Sequence, residues 1–472
     1  MTAQPEITTK IHDASMAILQ NTGIKFLHRD ALEILKSRGV RLSGETAYFD
    51  ERQILKWIKP APARFKLFAR NPTFDMELGG DGTEFAAGYG APFIIDIQGQ
   101  KRSANYADFQ TFLKLIHQSG CFNINGGIPV QPAGAVSETS WPLMLAASIR
   151  FSDKCLMGGP SGKDKDQATM DILSLLFGSD DLCKRPRIMK IVNSTSPLVW
   201  DRCALESIMS YTHYGQPLVI TPGPMAGITS PVTLAGTLAI SNAEALAGIA
   251  LTQMLREGTP VIYGCQATAA NMAAGSISIG SPECALCVEY GARLARMYDL
   301  PSRGGGANND AKAVSVQSGY ESMMVMLAAC MAKMNFIPHS AGVLDSYSAM
   351  SFEKFIIDLE IIGRIQRYLK GVRADEDAFA LTVIGEAGSG GEYITTDHTL
   401  QNFRTEIWSP GIGPGSLTKE SSDDNYIATV QHRLRDLLAD YCLPDIPAQL
   451  MKRINRYLTD EYHIPENVLS RY

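Results

Sequence analysis

Eight short apolar segments, each running into glycine or a small polar residue, constrain the fold of this chain more than any other feature. They lie at 85–90, 121–126, 154–158, 188–193, 217–221, 260–264, 302–306 and 336–340. Their spacing of roughly 30 to 45 residues leaves room for one helix of ordinary length in each interval. Strands alternating with helices build a parallel sheet, and eight such units over about 250 to 290 residues are what a (β/α)8 TIM barrel requires. The alternative is an open doubly wound sheet, which gathers its ligand loops at a single switch point. Here glycine or small polar residues follow nearly every strand, so the α/β reading is a TIM barrel over residues 85–372 with its chemistry on the loops that follow the strands.

The flanks read differently. Residues 1–84 form an N-terminal helical and β appendage, with helical periodicity over 11–21, over 29–39 with Gly39 as the stop, and over 51–58 ahead of the Pro-rich KPAPARF. The run SFEKFIIDLEIIGRIQRYLKGV from Ser351 predicts an amphipathic helix, the eighth of the barrel, with Ser351 as N-cap and Glu353 and Lys354 in its first turn. Residues 373–472 read as a C-terminal helical region ending in YIATVQHRLRDLLADY and IPAQLMKRINRYL, against the barrel or a partner, and a homo-oligomer is compatible with it.

Composition excludes several classes of function. With 472 residues, 45% hydrophobic and 19% charged, the chain can bury a large core, and it has no run of 18 or more apolar residues of the kind that spans a membrane. The start MTAQPEITTKIHDASM lacks a basic stretch followed by an apolar one, so a cytoplasmic protein is expected. A net charge of −6 without a Lys/Arg-rich tract argues against nucleic acid as a partner. Nine scattered cysteines make no disulfide framework. The eight histidines form no HxH or HxxxH pair, no phosphate-binding G-x-x-x-x-G-K-[ST] loop occurs, and Gly304 to Gly306 do not fit G-x-G-x-x-G; no metal bound by this chain and no nucleotide are expected. The one CxxC, Cys284 and Cys287, opens a helix starting at Ser281 and Pro282, a place where thiol pKa values can fall.

Four phrases carry a resemblance: NSTSPLVWD at 193–201, SPVTLAGTLAISNAEALAGIALTQM at 230–254, IGSPE at 279–283, and LPSRGGGANNDAKAVSVQSGYES at 300–322. Together they resemble the trimethylamine:corrinoid methyltransferase family, from about residue 10 to 390. The trimethylamine-specific members carry pyrrolysine in the loop after the LPSRGGG-like strand. In this sequence that position falls at Ala307 to Asn308, shortly before Asp310, and no such residue is present. The chain is therefore similar to the branch that demethylates quaternary amines, glycine betaine foremost, with proline betaine and carnitine as the alternatives. The resemblance also implies a corrinoid (cobalamin) carried by a separate, cognate corrinoid protein, since no corrinoid-binding DxHxxG segment occurs here.

Chemistry makes the missing residue intelligible. A quaternary nitrogen has no lone pair to add to an imine, and it leaves as a neutral tertiary amine, so a strong nucleophile displaces it without a general acid or a Lewis acid. No acid–base catalytic residue is expected. The site needs aromatic faces for the trimethylammonium head and donors for the carboxylate of a betaine. Tyr89 in GYG, Tyr263 and Tyr347 are the aromatic candidates at strand ends, with Phe93 behind them. Core packing is the competing reading for each. Arg303 and His339 are the candidates for the anionic end, with an Arg303–Asp310 ion pair and a structural histidine as the competing readings. Asn193 and Gln266 close two further strands, Asp310 and Lys312 are expected to order the loop, and Glu206 and Glu321 read as solvated or capping residues.

Overall fold

A computed structural model describes residues 4–134, 137–273, 275–412 and 423–469. Its centre is a curled seven-stranded parallel sheet made of β1 (Glu84–Phe85), β2 (Leu156–Met157), β3 (Ile188–Val192), β4 (Leu218–Ile220), β5 (Val261–Gly264), β6 (Ser302–Arg303) and β7 (Phe336–Ile337). The order is β1-β7-β6-β5-β4-β3-β2, with every pair parallel. Seven of the eight anticipated segments are thus strands. The eighth, at 121–126, makes only single parallel bridges, Phe122 to Phe85 and Ile124 to Cys155, one to each edge of the sheet. Asparagines explain its shortness: Asn125 Oδ1 takes the N–H groups of Gly127 and Met157, so a side chain does part of what a ladder would do.

Eight helices connect these segments: α1 (Tyr106–Gln118), α2 (Ser137–Phe151), α3 (Lys163–Phe177), α4 (Arg202–His213), α5 (Leu234–Leu255), α6 (Pro282–Met297), α7 (Val316–Met331) and α8 (Phe352–Leu369). Their boundaries follow local chemistry. Ser281, Ser315 and Ser351 accept from the backbone N–H three residues on, and Pro282 occupies the first position of α6, where its missing N–H costs nothing. Helix α5 is buried almost all round and is long and apolar enough to cross a bilayer, yet most of it is enclosed by the fold. Its all-round apolarity reflects packing on both sides: the sheet on one, the N-terminal helices Gln4–Ala17 and Glu51–Ile58 on the other.

Strand parity sorts the core into two shells. Phe336 pairs with Arg303, Arg303 with Gly264, and Ile262 with Val219, so these share the inner face. The inner face is packed by Ala86, Ile124, Cys155, Met157, Met189, Val219, Ile262 and Phe336, and the hairpin of Arg64–Leu67 and Met76–Gly79 adds Phe65, Leu67, Met76 and Leu78 to the same cluster. The outer face packs against the helices in a much larger cluster. The appendage is tied in through Val199–Trp200, which adds a parallel strand to its sheet beside Ile24–Phe26. C-terminal helices Asp423–Ala439 and Ala448–Tyr462 lie on the helices around the sheet, with Val430, Ile454 and Leu458 fully buried.

Candidate active site

Beyond the C-terminal ends of β1, β5, β6 and β7, five of the anticipated residues meet. Arg303 is inward-facing and 1% exposed. Its Nη1 donates to Gln266 Oε1 and its Nη2 to the Tyr89 hydroxyl at 3.1 Å; Gln266 Nε2 in turn donates to the Tyr347 hydroxyl. The His339 ring lies between two tyrosines, stacked on Tyr89 with centroids 4.2 Å apart and tilted against Tyr347 at 4.4 Å. Every partner of Arg303 is neutral, and among the described residues it has no salt bridge to a carboxylate. The guanidinium Nε has no hydrogen-bond partner either. A buried cation left in this condition is costly unless a ligand supplies the anion.

The ion pair between Arg303 and Asp310, the competing reading for that arginine, is not formed among the described residues. Asp310 instead accepts from Ser278 Oγ at 2.8 Å, Ile279 N at 2.9 Å, Gly280 N at 3.2 Å and Ser346 Oγ at 2.7 Å, so it joins three loops. Glu321, read from the sequence as solvated or capping, belongs to the same staple: its Oε2 accepts from Asp310 N at 2.7 Å. Glu206 does act as a partly exposed cap, accepting from Lys163 N and Arg202. Ala307 donates its N–H to His339 O, Asn309 Nδ2 reaches Val343 O, and Asn309 O accepts from Ser346 N. The 307–310 loop is a scaffold for the turn bearing Tyr347. Asn308 is fully buried with neither amide atom hydrogen-bonded, whereas Lys312 is exposed.

That turn is strained. Asp345, Ser346 and Tyr347 have φ of 50°, 50° and 73°, and His339 has φ 57°. Left-handed backbone at non-glycine residues costs of order 1–3 kcal/mol each and persists where surrounding contacts impose it. Those contacts are Asp310 on Ser346, Lys101 on Asp345 at 2.7 Å, and the backbone of Asn309 and Ala311.

Tyr263 is a correction. It lies one residue out of phase with the inner face, so its ring packs among the helices and its hydroxyl donates to Asn242 Oδ1 at 2.9 Å. Gly264 and Gln266, one and three residues on, carry the inward parity instead. Phe93 is also apart, in a hairpin where Lys101 Nζ lies 4.4 Å from its ring centroid. Asn193 continues the inward series Met189, Ile191 past the end of β3; it is exposed and outside the cluster. Cys284 and Cys287 are buried, and burial pushes the Cys284 thiol up to about 12 and that of Cys287 higher still, the opposite of an activated pair. Thr221, at the end of β4, is buried with an unpartnered Oγ1; sequence reading missed it, and only inward parity with Val219 marks it.

Burial, and then the adjacent Arg303 charge, hold the His339 imidazole well below its ordinary pKa, so the ring is neutral. Between that value and the unfolded value near 6.5 the unfolded chain binds more protons, so stability is full above about pH 6.5 and falls as pH is lowered through it. His117, lowered chiefly by burial, acts in the same direction. His339→Asn should therefore flatten, without abolishing, the fall in thermal midpoint between pH 7.5 and 5.5; an unchanged slope would mean that the ring is not held neutral. Asn tolerates the left-handed backbone at this position.

Residues 2–462 match the family model described as trimethylamine methyltransferase (MTTB). The chain is 40% identical over 454 residues to the glycine betaine methyltransferase of Desulfitobacterium hafniense, covering 95% of this chain and 94% of that one. It is 29% identical over 471 residues to the proline betaine:corrinoid methyltransferase of Eubacterium limosum, covering 96% of each. In fold it is similar to the crystal structure of the hydroxylamine MtmB complex, with a TM-score of 0.51 at 11% identity and 94% of both chains covered.

Proposed function

Because the chain belongs to the trimethylamine methyltransferase family, we propose that it moves a methyl group from glycine betaine to the Co(I) corrinoid of a separate corrinoid protein, releasing dimethylglycine. The observation that carries this reading is the buried Arg303, without a carboxylate among the described residues, set against the three packed rings of Tyr89, His339 and Tyr347. A betaine is an anion and a permanent cation a few bonds apart, and this site offers a partner for each. The carboxylate would take the unsatisfied guanidinium edge, a charge-assisted contact in a dry setting. The trimethylammonium group, which donates no hydrogen bonds, would lie against the faces of Tyr89 and Tyr347. A neutral His339 between them suits a cationic ligand, because an imidazolium there would repel it.

The corrinoid supplies the nucleophile, Co(I), from its own protein. This chain's part is aim. Arg303, fixed by Gln266 and Tyr89, sets where the carboxylate sits, and the rings set which methyl faces the opening. Holding that methyl in line makes the displacement effectively intramolecular. Very tight rings would be counterproductive, since positive charge leaves nitrogen as the methyl departs and ground-state cation binding is lost on the way to the transition state. In this reading the curled sheet closes as a (β/α)8 barrel through the 122–124 bridges, with the hairpin at 64–79 across the opposite end. No metal held by this chain is required.

The test is to supply the enzyme with a reduced corrinoid protein and, separately, glycine betaine, proline betaine, carnitine and trimethylamine, following loss of Co(I) spectroscopically. Glycine betaine should be consumed fastest. Faster use of proline betaine or carnitine would keep the reaction and change the donor. Preference for trimethylamine, or ligand binding with no methyl transfer as in a non-catalytic betaine-binding barrel, would overturn the proposal.

A further inference from the structure

Among the described residues, two Lys–Asp ion pairs are fully buried: Lys190 with Asp166, and Lys354 with Asp358 one turn further along α8. The first ties β3 to α3 and α4 through Asp166 and Ser207. The second lies on a helix face that is otherwise apolar, among Phe355, Ile356, Ile361, Ile362 and Ile365. Two apolar side chains at such positions are usually at least as stable as the ions, because desolvating both charges offsets their attraction. Stability alone therefore does not account for Lys354 and Asp358.

Their remaining hydrogen bonds do. Asp358 Oδ2 accepts from Gly342 N at 2.8 Å, and Lys354 Nζ donates to Ser322 Oγ at 2.9 Å. Ser322 Oγ, on α7, donates to Ala307 O at 2.8 Å and accepts from Asn309 Nδ2 at 3.2 Å. One end of the pair thus holds the segment after β7, and the other holds the loop after β6. Gly342, with φ 89°, follows His339 by three residues and opens the hairpin of Val343–Leu344 and Ala349–Met350, whose turn bears Tyr347. The two loops are also locked to each other, Ala307 N donating to His339 O at 2.8 Å and Asn309 Nδ2 to Val343 O at 2.8 Å. Asp310 restrains the turn at Ser346, while Asp358 restrains the base of the same hairpin.

We propose that Lys354 and Asp358 are positioning residues for methyl transfer: they fix the 339–347 backbone against the 307–309 loop, and with it the spacing of the His339 and Tyr347 rings. Neither side chain touches the donor. The inference rests on the reading of those rings as part of the methyl-donor site, where a small displacement of one wall turns the methyl group out of line.

Lys354→Met combined with Asp358→Leu removes both charges together and leaves no unpaired ion. The double variant should match or exceed the thermal midpoint of the parent. Its kcat for glycine betaine should fall about 10- to 100-fold, with a smaller change in KM because the Arg303 anchor is untouched. Lys354→Met with Asp358→Asn, which returns an acceptor to Gly342 N, should recover part of that loss; a pair that serves the fold alone gives no such recovery at equal thermal midpoint. Hydrogen exchange needs no methyl donor: amides of 339–347 should exchange faster in the first double variant while those of α8 stay protected. Parental kcat in that variant, unchanged exchange at 339–347, or a fall in kcat that only tracks a lowered thermal midpoint would overturn the inference. If the parent itself consumes no quaternary amine, the exchange result still decides whether the pair positions the rings, so a wrong donor and a wrong pair give different outcomes.

Discussion

Replacing Arg303 with methionine should lower kcat/KM for glycine betaine by about 30-fold to several thousand-fold, the 2–5 kcal/mol range for removing one partner of a buried charge-assisted pair. The variant should nevertheless fold at least as well as the parent. In the unliganded protein Arg303 is a desolvated cation with only neutral partners, and an apolar side chain of similar length relieves that cost. A lysine should not restore activity, because the planar fork that engages Gln266 and Tyr89 together is lost. The sharpest readout is selectivity. The parent should strongly prefer glycine betaine over choline, which keeps the trimethylammonium group and lacks the carboxylate, and Arg303→Met should bring the two rates together. If the variant slows both substrates equally, Arg303 organises the site without binding the carboxylate.

Asp310→Ala should be the more disruptive change to the structure. It removes an acceptor for four donors from two segments, 278–280 and the turn at Ser346, and leaving even two of them unsatisfied costs about 2–6 kcal/mol. The consequence for activity runs through Ser346. Without that contact nothing from the 307–310 loop side chains restrains the left-handed turn, and Tyr347 relaxes away from His339 and Gln266. Asp310 is a positioning residue on this argument, so kcat should fall by at least tenfold, with a smaller change in KM because the Arg303 anchor remains. Asp310→Asn, which keeps one acceptor oxygen, should recover part of the stability and part of kcat. A variant that loses stability but retains the parent kcat would show that Tyr347 does not need this support.

Some of this was readable without coordinates because it depends on short-range chemistry. Parallel strands ending in glycine, serine N-caps three residues before a free N–H, and the amphipathic period of α8 are each set by backbone geometry and solvation within a few residues, and they reappear where the pattern put them. The asparagine-rich segment 121–126 carried the same apolar signal, yet its side chains compete for the ladder bonds and only two bridges remain. Tyr263 illustrates the sharper limit. Its place at a strand end was correct, but a shift of one residue decides whether a ring faces substrate or helices, and that parity is visible only once Gly264 is seen opposite Arg303.

Sequence by itself determined the alternation of strand and helix, the positions of the loops that follow the strands, and the residue types a betaine would call for. Tertiary structure decided the rest. Tyr89, Gln266, Arg303, His339 and Tyr347 span more than half the chain, and their meeting depends on strand order and on which neighbours each group lacks. No local pattern records that Arg303 has no carboxylate among the described residues, that Asp310 binds serine hydroxyls and backbone instead of arginine, or that no residue from 370 to 411 is buried by the described residues. Contacts between distant segments, and the burial that makes an unmet charge expensive, exist only after the chain has closed on itself.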